Sequence, residues 1–397
     1  MLLPVWCAVF VLASSFQATD TLPDRLSDTV FWQLVTDASE PNGTFISENF
    51  VSNELGYQYV IPPALERVPP GGVYMGVGPE QNFTYIAAFR PSIAFIVDIR
   101  RQNLVEHLLY KALFEMSGDR VEFLSRLFAR RPAGVDRNTT SEELFAGFAA
   151  VPMDSDLRRD TLQAVRDRLQ MQHGFGLSED DLKTLEHVYG EFAREGSEIR
   201  YSVDTIPRVI TLPELPPDGA NANPADPNAT PAPPQLPLPV AAITLFLGMP
   251  FPTYAEVMTA TDALGMNWSF LATEENYQAV REMQQRNLIV PVVGDFSGPQ
   301  AIRTIGQFLK DHDTTVSVFY VSNVEQYLSQ PPKLQDFYSN VATLPLNPSS
   351  TFIRSAQTRG SQPGLAQSAI SSMQTVLDAV LEGRARTWSD IYRLSDR

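Results

Sequence analysis

The chain of 397 residues contains one cysteine, Cys7, and four histidines. Cys7 lies within the apolar run "MLLPVWCAVFVLASSFQA", which forms the first eighteen residues. If this run is removed from the mature protein, no cysteine remains for a disulfide, a catalytic thiolate or a metal site. The histidines are scattered without metal-ligand spacing, so the sequence predicts no metal site.

The chain is also poor in positive charge, with 30 Lys and Arg against 46 Asp and Glu. The resulting net charge of −16 repels phosphate backbones and anionic lipids, which disfavours a nucleic-acid partner. Neither the G-x-S-x-G elbow of serine hydrolases nor a Gly-Lys-Ser/Thr phosphate loop occurs. We therefore expect a small-molecule ligand rather than a nucleic acid.

The apolar residues 1–18 have the length and small-residue ending of a secretory signal peptide, and they are too short to span a bilayer comfortably. We predict that the mature chain is exported, periplasmic or secreted, with no integral membrane segment; a buried N-terminal helix is the alternative. Five Asn-x-Ser/Thr sequons occur, and the one at Asn82 follows a glycine turn where a glycan would obstruct any ligand. A bacterial origin is consistent with all of these features.

Continuous Val/Ile/Phe strands alternate with amphipathic helices over much of the chain. The predicted strands are "VYMGVG", "SIAFIVD", "NLIVPVVG", "TTVSVFYV" and "STFIRS". This alternation predicts an α/β, Rossmann-like fold, with a mostly parallel sheet and helices on both faces. No β-hairpin is evident after "STFIRS", and a last helix is predicted from about Pro363 to Leu381.

Two segments interrupt the alternation. Residues 104–212 have helical periodicity, and residues 213–239 contain ten of the 31 prolines with almost nothing to bury. We predict a helical insertion followed by an exposed proline-rich loop. The Rossmann-like domain then comprises a first part, 19–103, and a second part, 240–397.

In α/β sheets, ligands bind at the carboxyl ends of the strands, which selects two groups of residues here. The first group is the turn with Gly76 and Gly78, where backbone N–H groups can approach a ligand, and Asp98, which ends the next strand and can accept ribose hydroxyls. The second group is Asp295, which could accept an adenine amino proton, and Phe296, which could pack on the ring. Each feature also has a structural interpretation, as a turn glycine, a helix cap or a common turn pair.

The segment "SENFVSNE" precedes the glycine turn and contains Glu48, Asn49, Asn53 and Glu54. These side chains can line a pocket beside the turn, and they can equally cap a loop.

The blocks "VYMGVG", "IAFIVD" and "LIVPVVGD" resemble the nucleoside-binding half of class I methyltransferases. The chain is also similar to a family of uncharacterised bacterial exported proteins with that fold, through blocks such as "GVGPEQNFTYIA", "DIRRQN" and "FYVSNVEQYL". The resemblance implies S-adenosylmethionine as cofactor. By this likeness Gly76 and Gly78 would face its methionine moiety, Asp98 its ribose, and Asp295 with Phe296 its adenine.

The activity that the resemblance implies is methyl transfer, which needs in-line positioning more than acid or base catalysis. The motif after the fourth strand, "SNVE", differs from that of amino methyltransferases, so no methyl acceptor is implied, and the sequence does not specify an oligomeric state. A second interpretation is an exported, non-catalytic nucleoside-binding or structural protein that retains the methyltransferase fold.

Overall fold

The computed structural model describes residues 22–45, 47–201, 251–329, 332–356 and 367–396. The predicted signal peptide and the predicted proline-rich loop lie outside these residues. In the described part of the chain, no helix is both long and apolar enough to cross a membrane.

Within the described residues, six strands form one sheet, and fifteen α-helices accompany it. The strands β1 to β6 are Val73–Gly76, Ile93–Asp98, Ile289–Val293, Val316–Ser322, Leu346–Ala356 and Gln367–Ser372. The helices α1 to α15 are Asp28–Ala38, Ile61–Leu65, Gln81–Phe89, Arg101–Met116, Arg120–Leu127, Ser141–Ala149, Ser155–Asp167, Glu179–Glu195, Tyr254–Thr259, Glu274–Gln285, Ala301–Asp311, Val324–Tyr327, Lys333–Val341, Met373–Leu381 and Trp388–Tyr392.

The strand order is β3-β2-β1-β4-β5-β6, and β1 to β5 are parallel while β6 runs antiparallel to β5. The order reverses between β1 and β4, which makes their carboxyl ends the topological switch point where α/β proteins bind ligands. All residues of β1, β2 and β3 are buried, because helices cover both faces of the sheet. The fold is therefore α/β with a mostly parallel sheet, compatible with the predicted Rossmann-like class.

The chain after β5 differs from the sequence-based expectation. Residues 367–372, predicted to be part of a helix, form β6, and the helix α14 begins only at Met373. The strand "QSAISS" has few β-branched or aromatic side chains, so its own residues did not predict it. It is stabilised instead by its six-residue antiparallel pairing with β5.

The helical region is anchored to the sheet by α4, which packs against β2 and β3 and against α8. The predicted boundary at residues 103 and 104 falls inside the first turn of α4. Helix α8 begins at a capping box, in which Ser178 accepts from the Asp181 N–H and the Asp181 carboxylate accepts from the Ser178 N–H. The serine and the acids that follow it in "SEDD" provide this cap.

Candidate functional site

The glycine turn follows β1 at the switch point. Gly78 has φ +80°, a conformation that favours glycine, and its carbonyl accepts from His107 Nε2 at 2.9 Å and from Asn82 Nδ2 at 3.1 Å. Gly76 has no space for a side chain, because a Cβ atom there would lie 2.0 Å from Asn82 Oδ1. That same oxygen accepts from the Tyr74 hydroxyl at 2.7 Å. Asn82, at the start of α3, therefore holds the turn from within.

Asp98 lies beside this turn, since β1 pairs with β2 so that Gly76 is opposite Ile96. Its carboxylate is engaged by Arg100: the backbone N–H and Nε donate to Oδ1 at 2.9 and 3.1 Å, and Nη2 donates to Oδ2 at 3.2 Å. Both side chains are 7% exposed. Burial alone would lower the pKa of Arg100, but Asp98 raises it above its usual value.

Arg100 also binds the segment that covers the turn. Its Nη1 donates to the Ser47 carbonyl at 2.9 Å and to the Glu48 carbonyl. The Glu48 carboxylate points elsewhere, to His187 Nε2 at 2.9 Å, while Asn49, with φ +51°, places its amide close to Gly78. Five of the residues selected from the sequence are thus brought together at the carboxyl ends of β1 and β2: Gly76, Gly78, Asp98, Glu48 and Asn49.

The second group of residues selected from the sequence, Asp295 and Phe296, follows β3, and both side chains have structural contacts. Asp295 Oδ1 accepts from the N–H and hydroxyl of Ser297 at 2.9 and 2.7 Å, an arrangement that stabilises a turn. Phe296 is 4% exposed and packs against Phe319 and Phe337, with ring centroids 5.9 and 5.7 Å away. The structure therefore places the Phe296 ring in the hydrophobic core, and Asp295 lies half-buried beside it.

Glu54, which the sequence analysis named as a residue that can line the pocket, is a buried acid. Its Oε1 accepts from Tyr320 at 3.0 Å and from Ser322 at 2.5 Å, both at the carboxyl end of β4. Burial raises the pKa of Glu54 despite these hydrogen bonds. The signal in the sequence was its position in "SENFVSNE", near the glycine turn.

A further set of buried polar groups surrounds the base of the turn. We call it the buried acid cluster and define it as Glu80, Glu106, His107, Tyr110 and Tyr254. All five residues are at most 2% exposed. Within the described part of the chain, Glu80 Oε2, both carboxylate oxygens of Glu106 and His107 Nδ1 have no hydrogen-bond partner, whereas the Tyr110 and Tyr254 hydroxyls interact with each other. Burial raises the pKa of Glu80 to about 8 and that of Glu106 well above its usual range, so both acids hold protons at neutral pH.

No group of three or more His, Cys, Asp or Glu side chains suited to holding a metal ion occurs in the described parts of the chain. For a nucleoside, the relevant donors and acceptors are the turn backbone and the Asp98 carboxylate. A carboxylate has about four lone-pair sites, and Arg100 uses three of those on Asp98. One acceptor position on Oδ2 remains for a ligand hydroxyl.

Comparison with known proteins gives one family. No curated protein matches the chain. A family described as "Domain of unknown function (DUF7790)" matches residues 49–142 and 251–383, which is more than half of the chain. The two matched segments include the glycine turn, Asp98, Asp295, Phe296 and all five residues of the buried acid cluster. The chain belongs to this DUF7790 family.

Proposed function

We propose that this protein binds a nucleoside of the S-adenosylmethionine type, and that it is a methyltransferase-like protein whose acceptor is unassigned. The observation that carries the proposal is the register of β1 and β2, which sets the turn Gly76 to Gly78 beside Asp98 at the switch point of the sheet. This is the edge where α/β folds bind nucleosides, and a carboxylate there can accept ribose hydroxyls.

The chain's own residues would have to position the ligand rather than react with it. S-adenosylmethionine, when bound, supplies an electrophilic methyl group, and methyl transfer from it depends chiefly on in-line alignment. Gly78, with φ +80°, has no Cβ atom, so a ligand can approach the backbone of the turn closely at this residue. Glu54 is held by Tyr320 and Ser322 at the carboxyl end of β4, the strand next to β1.

Arg100 must yield in part for a ribose to reach Asp98. The guanidinium occupies two of the carboxylate's acceptor positions, and it also donates to the carbonyls of Ser47 and Glu48. Movement of the segment of residues 47–48 would remove the hydrogen bonds to Arg100 Nη1, and the guanidinium could then move away from Asp98. We therefore expect binding to be coupled to displacement of residues 47–49.

The test is calorimetric titration of S-adenosylmethionine and S-adenosylhomocysteine into the wild type, Asp98→Ala and Asp295→Asn. Loss of the Asp98 carboxylate should remove charge-assisted hydrogen bonds worth about 1.5–3 kcal/mol, or roughly ten- to a hundred-fold in affinity. Asp295→Asn tests the predicted adenine contact separately. Glu186→Gln, an exposed change on α8, is the matched control and should bind like the wild type. No heat from wild type at millimolar ligand would end the proposal.

The second candidate function is a non-catalytic structural role on the same fold. The observation that favours it is the closed Asp98–Arg100 ion pair, together with Phe296 in the core. Asp98→Ala should lower the unfolding midpoint under either function, because it leaves Arg100 buried and unpaired. Affinity for the nucleoside is therefore the measurement that separates them.

A further inference from the structure

His173 lies between two carboxylates that belong to different parts of the fold. It follows a π-helical turn, Arg168–Gln172, in the connection between α7 and α8. Its Nδ1 lies 2.9 Å from Oδ1 of Asp28, the first residue of α1, and its Nε2 lies 2.7 Å from Oε2 of Glu115, in the last turn of α4. One imidazole ring therefore joins the first helix, the helical region and the helix that anchors this region to the sheet.

Both contacts require a hydrogen on the ring. An ionised carboxylate can only accept, and a neutral imidazole has one N–H, whereas an imidazolium has two. The side chain of His173 is 13% exposed and that of Glu115 is 6% exposed, so water does not readily replace a lost contact. The geometry is therefore satisfied at both ends of the ring only when His173 is protonated.

Charged groups of both signs surround the ring, and the acids outweigh the bases. These groups are Asp28 on α1, Glu115 and Lys111 on α4, and Arg168 on the π-helical turn. Burial alone would raise the pKa of Glu115, but hydrogen bonds to His173 and Lys111 lower it, so this carboxyl group is ionised at neutral pH. Burial alone would lower the pKa of His173, but hydrogen bonds to Glu115 and Asp28 raise it above its usual value.

An aromatic stack beside the ring makes a second connection to α1. Phe175 is 2% exposed and stacks on His173, with ring centroids 4.9 Å apart. It also stacks on Phe31 and Trp32 of α1, at 5.2 and 5.0 Å. These apolar contacts do not depend on the proton, whereas the hydrogen bond from His173 to Asp28 does.

We propose that His173 is a pH-sensitive latch, closed by a proton, that fastens the first turn of α1 to the connection between α7 and α8. With the proton, the ring donates two charge-assisted hydrogen bonds; without it, at least one of the two contacts is lost. Helix α1 keeps its apolar contacts through the buried Phe31, Leu34 and Val35. The latch therefore changes the local order at the start of α1 rather than the fold.

The direction of the pH effect follows from linkage. A histidine whose pKa is raised on folding contributes stability that is complete below its unfolded pKa of about 6.5 and is lost as the pH rises through its folded pKa. The latch is thus closed in weakly acidic solution and opens at higher pH. Its opening equilibrium should increase roughly tenfold for each unit by which the carboxylates raise the pKa.

The first measurement is an NMR titration of the full chain with 15N-labelled histidine, in which His173→Gln assigns the signal. Both ring nitrogens of His173 should be protonated at pH 6, and the titration midpoint should lie above 6.5. Asp28→Asn removes one negative charge but keeps an oxygen acceptor, so it should lower that midpoint. A neutral His173 at pH 6, or a midpoint that Asp28→Asn leaves unchanged, would overturn the proposal.

Hydrogen exchange then tests whether the proton closes the latch. In residues 28–31 and 168–175, His173→Gln should exchange faster than the wild type at pH 6, and the difference should shrink at pH 9, where the wild-type latch is open. The control His187→Gln, which removes an exposed histidine paired with Glu48, should exchange like the wild type in these segments at both pH values. A difference of the same size at pH 6 and pH 9 is what a histidine with a purely structural role would give, and it would overturn the proposal.

Discussion

Replacing Glu80 by Gln should stabilise the protein in a way that depends on pH. Glu80 is fully buried, and its Oε1 accepts from the Ser52 N–H at 3.2 Å. Its Oε2 has no hydrogen-bond partner among the described residues. Gln retains the shape and the acceptor for Ser52. What the substitution removes is the cost of keeping an ionisable group in the interior.

The magnitude follows from the pKa, which burial raises from 4.5 to about 8. An acid whose pKa is raised on folding leaves the folded state most stable below its unfolded pKa. This stability is lost as the pH rises towards the folded pKa. Each pH unit is worth about 1.4 kcal/mol. The stability of Glu80→Gln relative to wild type should therefore grow between pH 4.5 and pH 8, by about 3 kcal/mol at pH 7 and about 4 kcal/mol at pH 8.

Urea unfolding of both proteins at pH 4.5, 6, 7 and 8 measures this difference. Glu186→Gln, where the wild-type acid is exposed and paired with Arg166, should show a nearly flat difference across the same series. A Glu80→Gln difference that is equal at pH 4.5 and pH 8, or a variant less stable than wild type at pH 8, would refute the reasoning.

Three other predictions concern the fold and the leader. Arg354→Ala removes the charged partner of Glu325, which is 1% exposed and accepts from Arg354 Nε at 2.7 Å. Urea unfolding should show a loss of about 3–5 kcal/mol in the free energy of unfolding, and a loss below about 1 kcal/mol would contradict this prediction. Gly76→Ala puts a Cβ atom 2.0 Å from Asn82 Oδ1 and should lower the free energy of unfolding by about 1–3 kcal/mol. The control Gly118→Ala, whose Cβ atom would lie 3.6 Å from its nearest neighbour, should change it by less than about 0.5 kcal/mol, and equal effects of the two variants would contradict the prediction. If residues 1–18 are a signal peptide, intact-mass analysis of exported protein should show a chain beginning between about Phe16 and Asp20, and a full-length cytoplasmic product would exclude it.

The sequence predicted the central strands well because their burial is continuous. The apolar runs around Val73–Gly76, Ile93–Asp98 and Ile289–Val293 are buried at every residue, and periodicity analysis detects such runs directly. The strand Gln367–Ser372 was not predicted, because its stability comes from pairing with Leu346–Ala356, which its own composition does not reveal.

The sequence predicted that the glycine turn and Asp98 lie close together, but not the hydrogen bonds that surround them. The glycine turn and Asp98 lie together as expected, whereas Arg100, two residues beyond Asp98, was not recognised as the partner of that carboxylate. The acids Glu80 and Glu106 were missed because they lie in helical or turn sequence, where an acid normally faces solvent. Their burial follows from tertiary packing, which a pattern within one helix cannot show.

The most direct test of the proposed function is a crystal structure of the wild-type chain grown with S-adenosylhomocysteine. The proposal predicts adenosine density at the carboxyl ends of β1 and β2, with a ribose hydroxyl within hydrogen-bonding distance of Asp98 Oδ2 and Arg100 shifted from its present position. An unchanged Asp98–Arg100 pair with no ligand density beside the turn from Gly76 to Gly78 would contradict it.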